Sequence, residues 1–511
     1  MIKRKVSAML AAVMLTASLA ACAAGDGGSS PSGAGSSVPA SQAESAASAV
    51  SSEGDVTLKI LGEFDANIDP ANDPLKGEIE ERTEYKLEYS MLPQDNADEK
   101  LSLEITSGAE YDILMLGPGK FRMLAKQNAL MEIEDLVDQY GPTLKKIIPE
   151  ETWRLATLND GVYAIPQKNE RPNIEASLAM RGDILAELGL EVPTTTTEFR
   201  AALVAIKEKY PDMVPFTHCI SLDIKIIRSA FGLYTDWLEE DGKIVHWTET
   251  ERAKDYYQYM IDLYNDGLFD KDFPVNKTAN RDEKFTSGKA ASMSYDWFSS
   301  DKIEPALKTN FPDAEIALVP PLSGDLGYEP GVVANVRFLK ASSIPKSSKN
   351  AEHAIKFMDK KLEWDNFLYS TLGEEGKTFE LKDGKYYPIM PEFNETRSTA
   401  YYYLNGIDEA NYAEMWLARI RRNEYVGNTF DLLNADFDKY AKYDPVALMP
   451  SLESMAKYGT SNRKFIDDYQ IKLITGGESL DHYDAFLEQF REAGGAAMSE
   501  EINAWYQENK S

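Results

Sequence analysis

The sequence predicts an α/β fold for the part of the chain that follows residue 54. Residues 56–61 (VTLKIL) and 85–91 (YKLEYSM) alternate apolar and polar side chains, which is the period of a strand. Residues 111–116 (YDILML) end in a continuous apolar run, which is typical of a strand buried on both faces. Helical spacing fills the segments between these strands. The order strand, helix, strand, helix, strand predicts a parallel sheet that is covered on both sides.

The segments between the predicted strands have the features of short helices. The first is residues 73–83 (DPLKGEIEERT), in which Pro74 stands near the start, where its missing N–H leaves no hydrogen bond unmade. The second is residues 96–108 (NADEKLSLEITSG), whose apolar residues recur at helical spacing. After the third strand, residues 117–120 (GPGK) are predicted to form a loop that leads into a helix over residues 121–130.

Capping signals predict several helices further along the chain. The pattern Thr-x-x-Glu at residues 195–198 and again at 248–251 predicts two capping boxes at helix starts. Asn350 is predicted to cap a helix that begins at the next residue. A glycine pair at 494–495 is predicted to break a helix that begins near Tyr483.

The N-terminal segment predicts export. Residues 3–5 are basic and residues 6–20 are apolar but too short to span a bilayer, so residues 1–21 are predicted to be a secretory signal. Residues 19–22 (LAAC) resemble the bacterial lipobox, in which the cysteine is diacylated and becomes the first mature residue. Two acyl chains hold a soluble domain on a membrane, because each buried methylene contributes about 0.8 kcal/mol. We therefore expect a lipid anchor at Cys22, on the outer face of the cell membrane; the alternative is an ordinary cleaved signal with a chance cysteine.

A tether and a folded part follow. Residues 22–54 consist of the lipidated cysteine and a run of Ala, Ser, Gly and Pro, which cannot bury enough apolar surface to offset chain entropy. Folding is therefore predicted to begin near Asp55, and the remaining residues suffice for two or three domains. The second of the two cysteines, Cys219, is expected to be packed and inert, since no partner for a thiol or metal site stands nearby in the sequence.

Charge and motifs exclude several classes of function. The formal net charge of −30 repels phosphate backbones, so we expect no nucleic-acid binding. It also argues against long-range attraction of an anionic ligand, although a local basic pocket could hold one. The four histidines are scattered, and the sequence has no zinc-protease, dinucleotide-binding or triad-like motif. We therefore predict that the chain is not an enzyme and holds no cofactor.

Several segments, taken in order, resemble one known family. They are ITSGAEYDILML (105–116), GVYAIP (161–166), MRGDILAELGLEVPTTTTEFRAAL (180–203), FTSGKAASM (285–293), SKNAEHAIKFMD (348–359) and GGAAMSEEINAWY (494–506). Each is similar to a block of the extracellular solute-binding proteins, family 1, of ATP-driven sugar importers. The similarity is greatest to the long lipoprotein branch that includes oligosaccharide and alginate binders. It extends over nearly the whole predicted folded part.

This resemblance implies a two-lobed α/β fold of the periplasmic-binding-protein type (type II), with several hinge crossings and a cleft between the lobes. The crossings are expected near residues 167–178, 319–328 and 388–396. The implied lobes are residues 55–168 plus 325–390, and residues 169–324 plus 391–511. One departure concerns metal: alginate-binding relatives carry an aspartate-rich calcium loop, where this chain has only KYPDMVPFT (209–217). Calcium needs six to eight oxygen ligands, so we expect no structural calcium there.

Candidate binding residues follow the predicted strands, because ligands of open α/β sheets lie beyond the carboxyl ends of strands. Asp296 and Trp297 follow the predicted strand 291–295. The resemblance implies that Trp297 stacks on a sugar ring, and Asp296 would accept hydrogen bonds from sugar hydroxyls. The alternative is that Trp297 fills space between a helix and the sheet.

Further candidates follow the other predicted strands or lie at the predicted crossings. Glu63, Phe64 and Asp65 follow the first strand, and a solvated turn is the alternative for them. Lys120 closes the GPGK segment, where a plain helix start is the alternative. The remaining candidates are Glu170 and Arg171 at the first crossing, Asp223 in a region where relatives contact ligand, and Tyr402 as a second stacking ring from the other lobe. The alternative for Glu170 and Arg171 is an ion pair at the hinge. The alternative for Asp223 is a surface helix, and for Tyr402 it is a buried tyrosine cluster.

The resemblance implies that the chain captures an oligosaccharide and delivers it to the permease of an ATP-binding-cassette (ABC) importer. Hinge closure around the solute would be the mechanism. We expect a monomer whose partners are the small-molecule ligand and the permease subunits, and whose contact with the membrane is through its lipid. A binder of peptides or other small solutes, a surface glycan hydrolase and a sensor subunit remain as alternatives.

Overall fold

The computed structural model describes residues 56–93, 95–158, 161–169, 171–219, 225–450 and 452–509. The strands in these ranges are β1 (Thr57–Gly62), β2 (Lys86–Met91), β3 (Ile113–Leu116), β4 (Thr157–Leu158), β5 (Gly161–Val162), β6 (Ala164–Lys168), β7 (Ala176–Arg181), β8 (Val214–Thr217), β9 (Trp237–Glu240), β10 (Lys243–His246), β11 (Ala290–Asp296), β12 (Ile316–Val319), β13 (Val332–Val333), β14 (Phe338–Ser343), β15 (Phe379–Lys382), β16 (Lys385–Pro388) and β17 (Ala441–Lys442).

The helices in the same ranges are α1 (Pro74–Thr83), α2 (Ala97–Thr106), α3 (Pro118–Lys126), α4 (Glu134–Tyr140), α5 (Pro142–Ile147), α6 (Glu150–Trp153), α7 (Gly182–Leu188), α8 (Thr196–Lys209), α9 (Lys225–Arg228), α10 (Arg252–Asn265), α11 (Thr278–Thr286), α12 (Ser300–Asn310), α13 (Ala351–Leu362), α14 (Trp364–Leu372), α15 (Glu392–Arg397), α16 (Tyr412–Ile420), α17 (Glu424–Asn434), α18 (Phe437–Tyr440), α19 (Glu453–Ile474), α20 (Tyr483–Phe490) and α21 (Ala496–Asn509).

The first lobe is built on a five-stranded sheet with the strand order β2-β1-β3-β14-β6. β1 pairs in parallel with β2 and with β3, and Ile60 of β1 lies opposite Tyr89 and Ile113. This is the parallel sheet that the sequence predicts. β14 runs antiparallel to both of its neighbours, although it lies far away in the chain. A late strand thus completes an early sheet, so the chain must return to this lobe.

The second lobe is built on a four-stranded sheet with the order β12-β7-β11-β8. β11 is buried along its whole length, pairs in parallel with β8, and pairs antiparallel with β7. β12 in turn runs antiparallel to β7. Because β7 and β11 are central and buried on both faces, the carboxyl end of β11 is fixed firmly in the lobe.

The two sheets have separate hydrophobic cores. The core of the first lobe contains side chains of β1 and β2, and that of the second contains side chains of α8, α10 and α19. The first core also includes Phe393, Ala400, Tyr403, Leu404, Ile407, Tyr412, Met415 and Ala418. The sequence assigns residues 391–418 to the second lobe. Because these side chains pack with β1 instead, we place the third crossing after α16 rather than at residues 388–396.

The helix starts match the sequence in some places and differ in others. The Thr195 hydroxyl accepts from the Glu198 backbone N–H at 3.0 Å, and the Glu198 carboxylate accepts from the Thr195 N–H, so this capping box is confirmed. The second predicted box is wrong: Thr248 lies in a 3₁₀ turn, and α10 begins only at Arg252. Asn350 stands before α13 but makes no side-chain cap hydrogen bond.

Two further expectations concern the C-terminal helices and the membrane. The chain breaks after α20 at Gly494, whose φ of 112° favours glycine, so the predicted break is confirmed. Within the described ranges, no helix combines the length and the apolar character that crossing a membrane would require. Cys219 is buried, and its Sγ lies 4.0 Å from the hydroxyl of Thr278.

Candidate functional site

The candidate site lies where the chain passes between the two sheets. β6 of the first sheet ends at Lys168, and β7 of the second begins at Ala176. Lys168 is paired with Phe338, the first residue of β14, while Ala176 is paired with Asp296, the last residue of β11. The short connection 169–175 therefore joins the carboxyl end of β6 to the carboxyl end of β11. In both sheets, the edge at the carboxyl ends of the parallel strands therefore borders this hinge. Ligand-binding residues of open α/β sheets lie at that edge.

Asparagine side chains hold two crossing segments together at the hinge. Asn169 Nδ2 donates to the carbonyl oxygen of Asn335 at 2.9 Å, and Asn169 Oδ1 accepts from the backbone N–H of Arg337 at 2.9 Å. Asn335 in turn donates from its backbone N–H to Asn173 O at 2.9 Å and from Nδ2 to Glu175 Oε1 at 2.7 Å. Asn169, Asn173 and Glu175 of one crossing are thus linked by hydrogen bonds to residues 335 and 337 of the other.

A third segment joins this hinge from α17. Asn434 Oδ1 accepts from the backbone N–H of Ile174 at 2.8 Å, and Asn434 Nδ2 donates to the carbonyl oxygen of Ile174 at 3.2 Å. Arg171 Nη1 lies 3.4 Å from Glu414 Oε1 of α16, and its guanidinium lies over the ring of Phe430 at 5.9 Å. The predicted candidate Arg171 therefore forms an ion pair at the hinge, which was the alternative to a ligand contact.

A cavity of about 510 Å³ opens at the carboxyl end of β11, and we call it the hinge cavity. Its volume is in the range of small-molecule sites. The residues that line it come from β11 and the turn after it, from α9 and α11, from β13 and the hinge segments, and from the chain after β17. They are Glu175, Ala176, Lys225, Ile226, Arg281, Ser294, Tyr295, Asp296, Phe298, residues 332–337, Asp444, Val446 and Ala447.

Asp296 and Glu175 are two of the three carboxyl groups at the hinge cavity that have raised pKa values; the third is Asp444. Burial raises the pKa of Asp296, against the opposing effects of the Ser299 hydroxyl and the charge of Arg281. Burial also raises the pKa of Glu175, which Arg337 lowers and Asp296 raises further. A desolvated carboxylate gains free energy from each new hydrogen bond. Both groups are therefore suited to accept hydrogen bonds from the hydroxyls of a ligand.

Arg281 supplies a buried positive charge beside these carboxyl groups. Its side chain is fully buried; Nε donates to the carboxylate of Asp282 at 2.8 Å and Nη1 donates to the Ser294 hydroxyl at 3.2 Å. The Ser294 hydroxyl lies 2.9 Å from Nδ1 of His218. This network fixes the guanidinium at the cavity wall. No group of three or more His, Cys, Asp or Glu within the described ranges is arranged to hold a metal ion.

The exposed aromatic ring at the hinge cavity is Phe298. It lines the cavity and keeps 55% of its surface exposed. Trp297 is half-buried instead, and packs edge-to-face against Phe430 at 5.5 Å and Trp416 at 6.2 Å. Its Nε1 is buried and makes no hydrogen bond within the described part of the chain. Trp297 thus has the packing role that was the alternative, and ring stacking on a ligand stays a prediction for it.

At the edge of the first sheet, Glu63 and Lys120 form one polar group. Lys120 Nζ lies 2.8 Å from Glu63 Oε1 and 3.3 Å from Asp98 Oδ1, and the pairing with Glu63 raises the pKa of Lys120. Glu63 Oε2 also accepts from the backbone N–H of Gly117 at 2.5 Å. The expected loop at 117–120 is shorter than predicted, because α3 already begins at Pro118 and Lys120 lies in its first turn.

Phe64, Asp65 and Tyr402 form a second group at this edge. Phe64 is buried and stacks on Tyr402, with ring centroids 6.1 Å apart. The Tyr402 hydroxyl donates to the Asp65 carboxylate. Burial and then this hydrogen bond raise the pKa of Tyr402. Tyr402 packs against the core that contains β1, so it lies in the lobe opposite Trp297, as expected of a ring from the other lobe. Its position disagrees instead with the lobe bounds, which assign residues 391–511 to the second lobe.

Three predicted residues, Cys22, Glu170 and Asp223, lie outside the described residues. Among the predicted residues, the structure pairs Glu63 with Lys120 and Asp65 with Tyr402, and it puts Asp296 at the hinge cavity. Sequence reasoning missed Glu175, Arg281, Phe298, Asn335 and Arg337. Of these, Glu175 falls inside the predicted first crossing, and Phe298 is the third residue after the predicted strand 291–295, so position alone could have added these two.

Comparison with known proteins supports a single family. Residues 65–371, more than half of the chain, match the family described as bacterial extracellular solute-binding protein. Two relatives from Bacillus subtilis (strain 168) match over most of the chain. Lipoprotein LipO is 22% identical over 478 residues, which covers 89% of this chain and 93% of LipO. The polygalacturonan/rhamnogalacturonan-binding protein YtcQ is 24% identical over 471 residues, covering 86% of this chain and 89% of YtcQ.

A solved structure shares the fold. The ABC-transporter substrate-binding protein FusA of Streptococcus pneumoniae, solved in complex with kestose, superposes with a TM-score of 0.66. The superposition covers 89% of this chain and 99% of FusA, at 20% sequence identity. The likeness at this identity concerns the fold, and the predicted two-lobed α/β architecture is confirmed.

Proposed function

The chain belongs to the bacterial extracellular solute-binding proteins, and we propose that its solute is a carbohydrate, in particular an oligosaccharide. The protein captures this sugar outside the cell by closing its lobes and delivers it intact to the permease of an ABC importer. The family is non-catalytic, so the chain is not an enzyme. The observation that carries the proposal is the hinge cavity, where the exposed ring of Phe298 stands near the carboxyl groups of Asp296 and Glu175.

The lining of the hinge cavity fits the surface of a sugar. A sugar ring has an apolar face of C–H groups and a rim of hydroxyl groups that both donate and accept. Phe298 offers an exposed ring for the face, Asp296 and Glu175 offer acceptors, and Arg337 offers donors. Small-molecule sites combine apolar walls with a few polar groups in this way. A cavity of about 510 Å³ gives room for more than one sugar ring.

The names of relatives support the same ligand class. YtcQ is named for binding polygalacturonan and rhamnogalacturonan, and FusA was solved with kestose. Both names specify saccharides of more than one unit. Because YtcQ matches over most of this chain, we extend the class, though not the particular sugar, to the protein described here.

Hinge closure would bring the first lobe onto the bound sugar. The edge of the first sheet, with Glu63, Asp65 and Lys120, borders the same hinge as the cavity. A ligand that contacts both edges binds the closed form more tightly than the open form, and only this difference in affinity shifts the equilibrium. The asparagine links at Asn169 and Asn335 keep the crossings together during the motion.

We further propose that the chain is anchored by lipid at Cys22 and acts as a monomer on the outer face of the cell membrane. The lipobox-like residues 19–22 support the anchor, and so does the similarity to a protein named as a lipoprotein. Mass spectrometry of the membrane-extracted chain tests this: two acyl groups at an N-terminal cysteine are expected, and an unmodified N-terminus would overturn it.

The experiment for the ligand is a thermal-unfolding screen of the purified chain against neutral oligosaccharides, uronate-containing oligosaccharides and peptides. A ligand at a hundredfold excess over its Kd stabilises the folded form by about 2.7 kcal/mol, which raises the unfolding midpoint. We expect oligosaccharides to do so. Phe298→Ala should raise the Kd roughly thirtyfold, as loss of a central aromatic contact costs about 2 kcal/mol.

Trp364→Ala is the matched control, because Trp364 is another exposed aromatic residue (43%) but lies at the start of α14 in the first lobe. It should leave the Kd unchanged. A midpoint raised by peptides and not by saccharides would replace the proposal with a peptide binder. Steady release of reducing ends from a glycan would replace it with a hydrolase. Uptake of labelled sugar by cells, with and without the chain, separates import from sensing.

A further inference from the structure

A second cavity, of about 280 Å³, lies within the second lobe. We call it the tryptophan cavity. Trp237 and Trp247 line it from the β9–β10 hairpin and the turn that follows, Arg228 and Asp236 line it from the segments before the hairpin, and the long helix α19 closes the other side. It shares no lining residue with the hinge cavity, and the proposed function does not use it.

The wall of the tryptophan cavity combines aromatic rings with a fixed guanidinium. The Arg228 side chain is 1% exposed, and its guanidinium lies over the ring of Trp247 at 4.4 Å. Arg228 Nη2 donates to Asp236 Oδ1 at 3.0 Å, and Nε donates to the carbonyl oxygen of Leu233 at 3.0 Å. These contacts hold the guanidinium in one orientation, so its position does not need to be ordered when a ligand binds.

The charged side chains that line the tryptophan cavity are equally divided between positive and negative. Arg228 and Arg463 are positive, and Asp236 and Asp467 are negative. Burial opposes the ionised form of Asp236, but the nearby charges of Arg228 and Lys225 hold its pKa below the usual value. Burial lowers the pKa of His246 to about 3, so this imidazole is neutral at pH 7. Two positive and two negative groups with a neutral histidine favour a neutral ligand, because a net charge would be left without a partner.

The remaining polar side chains of the wall are partly engaged within the protein: Asn462 Nδ2 donates to the carbonyl oxygen of Phe490 at 3.3 Å, and Gln470 Nε2 donates to the Tyr256 hydroxyl at 3.2 Å. Asn462, Gln470 and Thr460 each carry groups that donate and accept, and they stand along α19 opposite the two tryptophans. Asn462 is buried, so its amide is held in place by the protein. A ligand with hydroxyl groups on its rim and C–H groups on its faces would satisfy both the polar and the apolar parts of this wall.

A glycine of α19 lies on the wall of the tryptophan cavity. Gly459 lines it from within α19, and a Cβ built at this position would meet no heavy atom within 4 Å. Glycine inside a helix costs about 1 kcal/mol relative to alanine. No neighbouring atom therefore occupies the place of a side chain at Gly459, and no close contact of α19 with another element explains the glycine.

We infer that the tryptophan cavity binds one neutral sugar ring, as a second carbohydrate site apart from the hinge cavity. Its size suits a single ring, the charges of its lining side chains sum to zero, and its wall combines tryptophan rings with amide and hydroxyl groups. Lys225 lines the hinge cavity and lies 3.4 Å from Asp236, which lines the tryptophan cavity, so the two sites are neighbours within the lobe.

The test titrates the purified full-length chain with D-glucose, D-galactose and N-acetyl-D-glucosamine, and with the charged sugars D-glucuronate and D-glucosamine. Gly459→Leu adds a bulky side chain at the cavity wall, at a position where a Cβ meets no heavy atom within 4 Å, and gains helix propensity. Gly77→Leu is the matched control, since Gly77 lies in α1 of the first lobe, where a Cβ likewise meets no atom within 4 Å. Calorimetry should find at least one neutral sugar that binds the wild type and Gly77→Leu equally, and Gly459→Leu at least tenfold more weakly.

A second readout does not depend on any variant. In the wild type, the NMR signals of the indole N–H groups of Trp237 and Trp247 should move as the neutral sugar is added. The inference is overturned if no neutral monosaccharide binds, if a charged sugar binds more tightly, or if Gly459→Leu leaves the Kd unchanged. Oligosaccharide binding that responds to Phe298→Ala would persist in each case, so failure here is distinct from failure of the proposed function.

Discussion

The two sheet edges that border the hinge differ in how their polar side chains are paired. At the first edge, Glu63 pairs with Lys120, and the Tyr402 hydroxyl donates to Asp65. At the second edge, Asp296 and Glu175 line an open cavity, and burial raises both of their pKa values. The second edge therefore gains more from new hydrogen bonds than the first. We infer that a ligand docks on the second lobe and that the first lobe then closes over it.

Two neighbouring residues show the same contrast between a side chain engaged within the protein and one that is open to a ligand. Trp297 packs into the aromatic cluster with Trp416 and Phe430, whereas Phe298 stands exposed at the hinge cavity. The first should contribute to stability and the second to binding. Replacing each by alanine separates the two contributions.

The largest expected effect is on the stability of Trp297→Ala. Removing a large packed aromatic ring leaves a cavity, and we expect the free energy of unfolding to fall by about 3 kcal/mol. Phe298→Ala should change it by less than about 0.5 kcal/mol, since its ring is mostly in solvent. Urea unfolding of both variants measures this. If Trp297→Ala were as stable as Phe298→Ala but bound the oligosaccharide more weakly, Trp297 would be a ligand contact after all.

A smaller effect should appear at Asp444, another carboxyl group of the hinge cavity. Burial raises the pKa of Asp444 from 3.8 to about 6. The folded chain then binds this proton more tightly than the unfolded chain, so folding stability is lost as the pH rises from about 4 to 6. Asp444→Asn removes this loss. Relative to the wild type, the variant should gain nothing near pH 4. The full shift corresponds to about 3 kcal/mol at pH 7, and because Asp444 is only partly buried, solvent screening reduces the expected gain to roughly 1–2 kcal/mol.

The measurement for Asp444→Asn is urea unfolding of both proteins at pH 4, 5, 6 and 7. Asp69→Asn in the first lobe is the control of opposite sign, because a hydrogen bond from Asn72 lowers the pKa of Asp69. That variant should lose stability relative to the wild type as the pH rises. An advantage of Asp444→Asn that shrinks with rising pH would show that its carboxylate is stabilised, not destabilised, by the folded chain.

The regular elements could be predicted from sequence because local periodicity encodes them. β1, α1, β2, α2 and β3 all lie where the pattern of apolar residues puts them. The failed capping box shows the limit of such signals. Thr248 matches the pattern, yet its carbonyl accepts from the Tyr483 hydroxyl at 2.7 Å in a turn that α20 packs against. That contact joins residues 235 positions apart, which no local pattern contains.

Only those site residues that directly follow a strand could be predicted from the sequence. Asp296, Glu63 and Lys120 were found because residues after parallel strands gather at one edge. Which of Trp297 and Phe298 faces the cavity depends on rings from α16 and α17, more than a hundred residues away. The placement of Tyr402 likewise depends on the return of residues 400–418 to the first core. The orientation of these side chains is thus determined by contacts between residues far apart in the chain, which short sequence spacings do not contain.

The smallest expected effect, at Tyr402, tests the first edge directly. Tyr402→Phe keeps the ring that stacks on Phe64 and removes the hydroxyl that donates to Asp65. A single hydrogen bond contributes about 0.5–1.5 kcal/mol to stability, and this one is exposed, so we expect a loss near the lower end. The oligosaccharide Kd should change less than threefold, because Asp65 can then accept from a ligand hydroxyl instead. Tyr443→Phe, at another exposed tyrosine, is the control. A tenfold rise in Kd for Tyr402→Phe alone would mean that the pairing at the first edge is part of the binding surface, and the order of docking inferred from the two edges would have to be reversed.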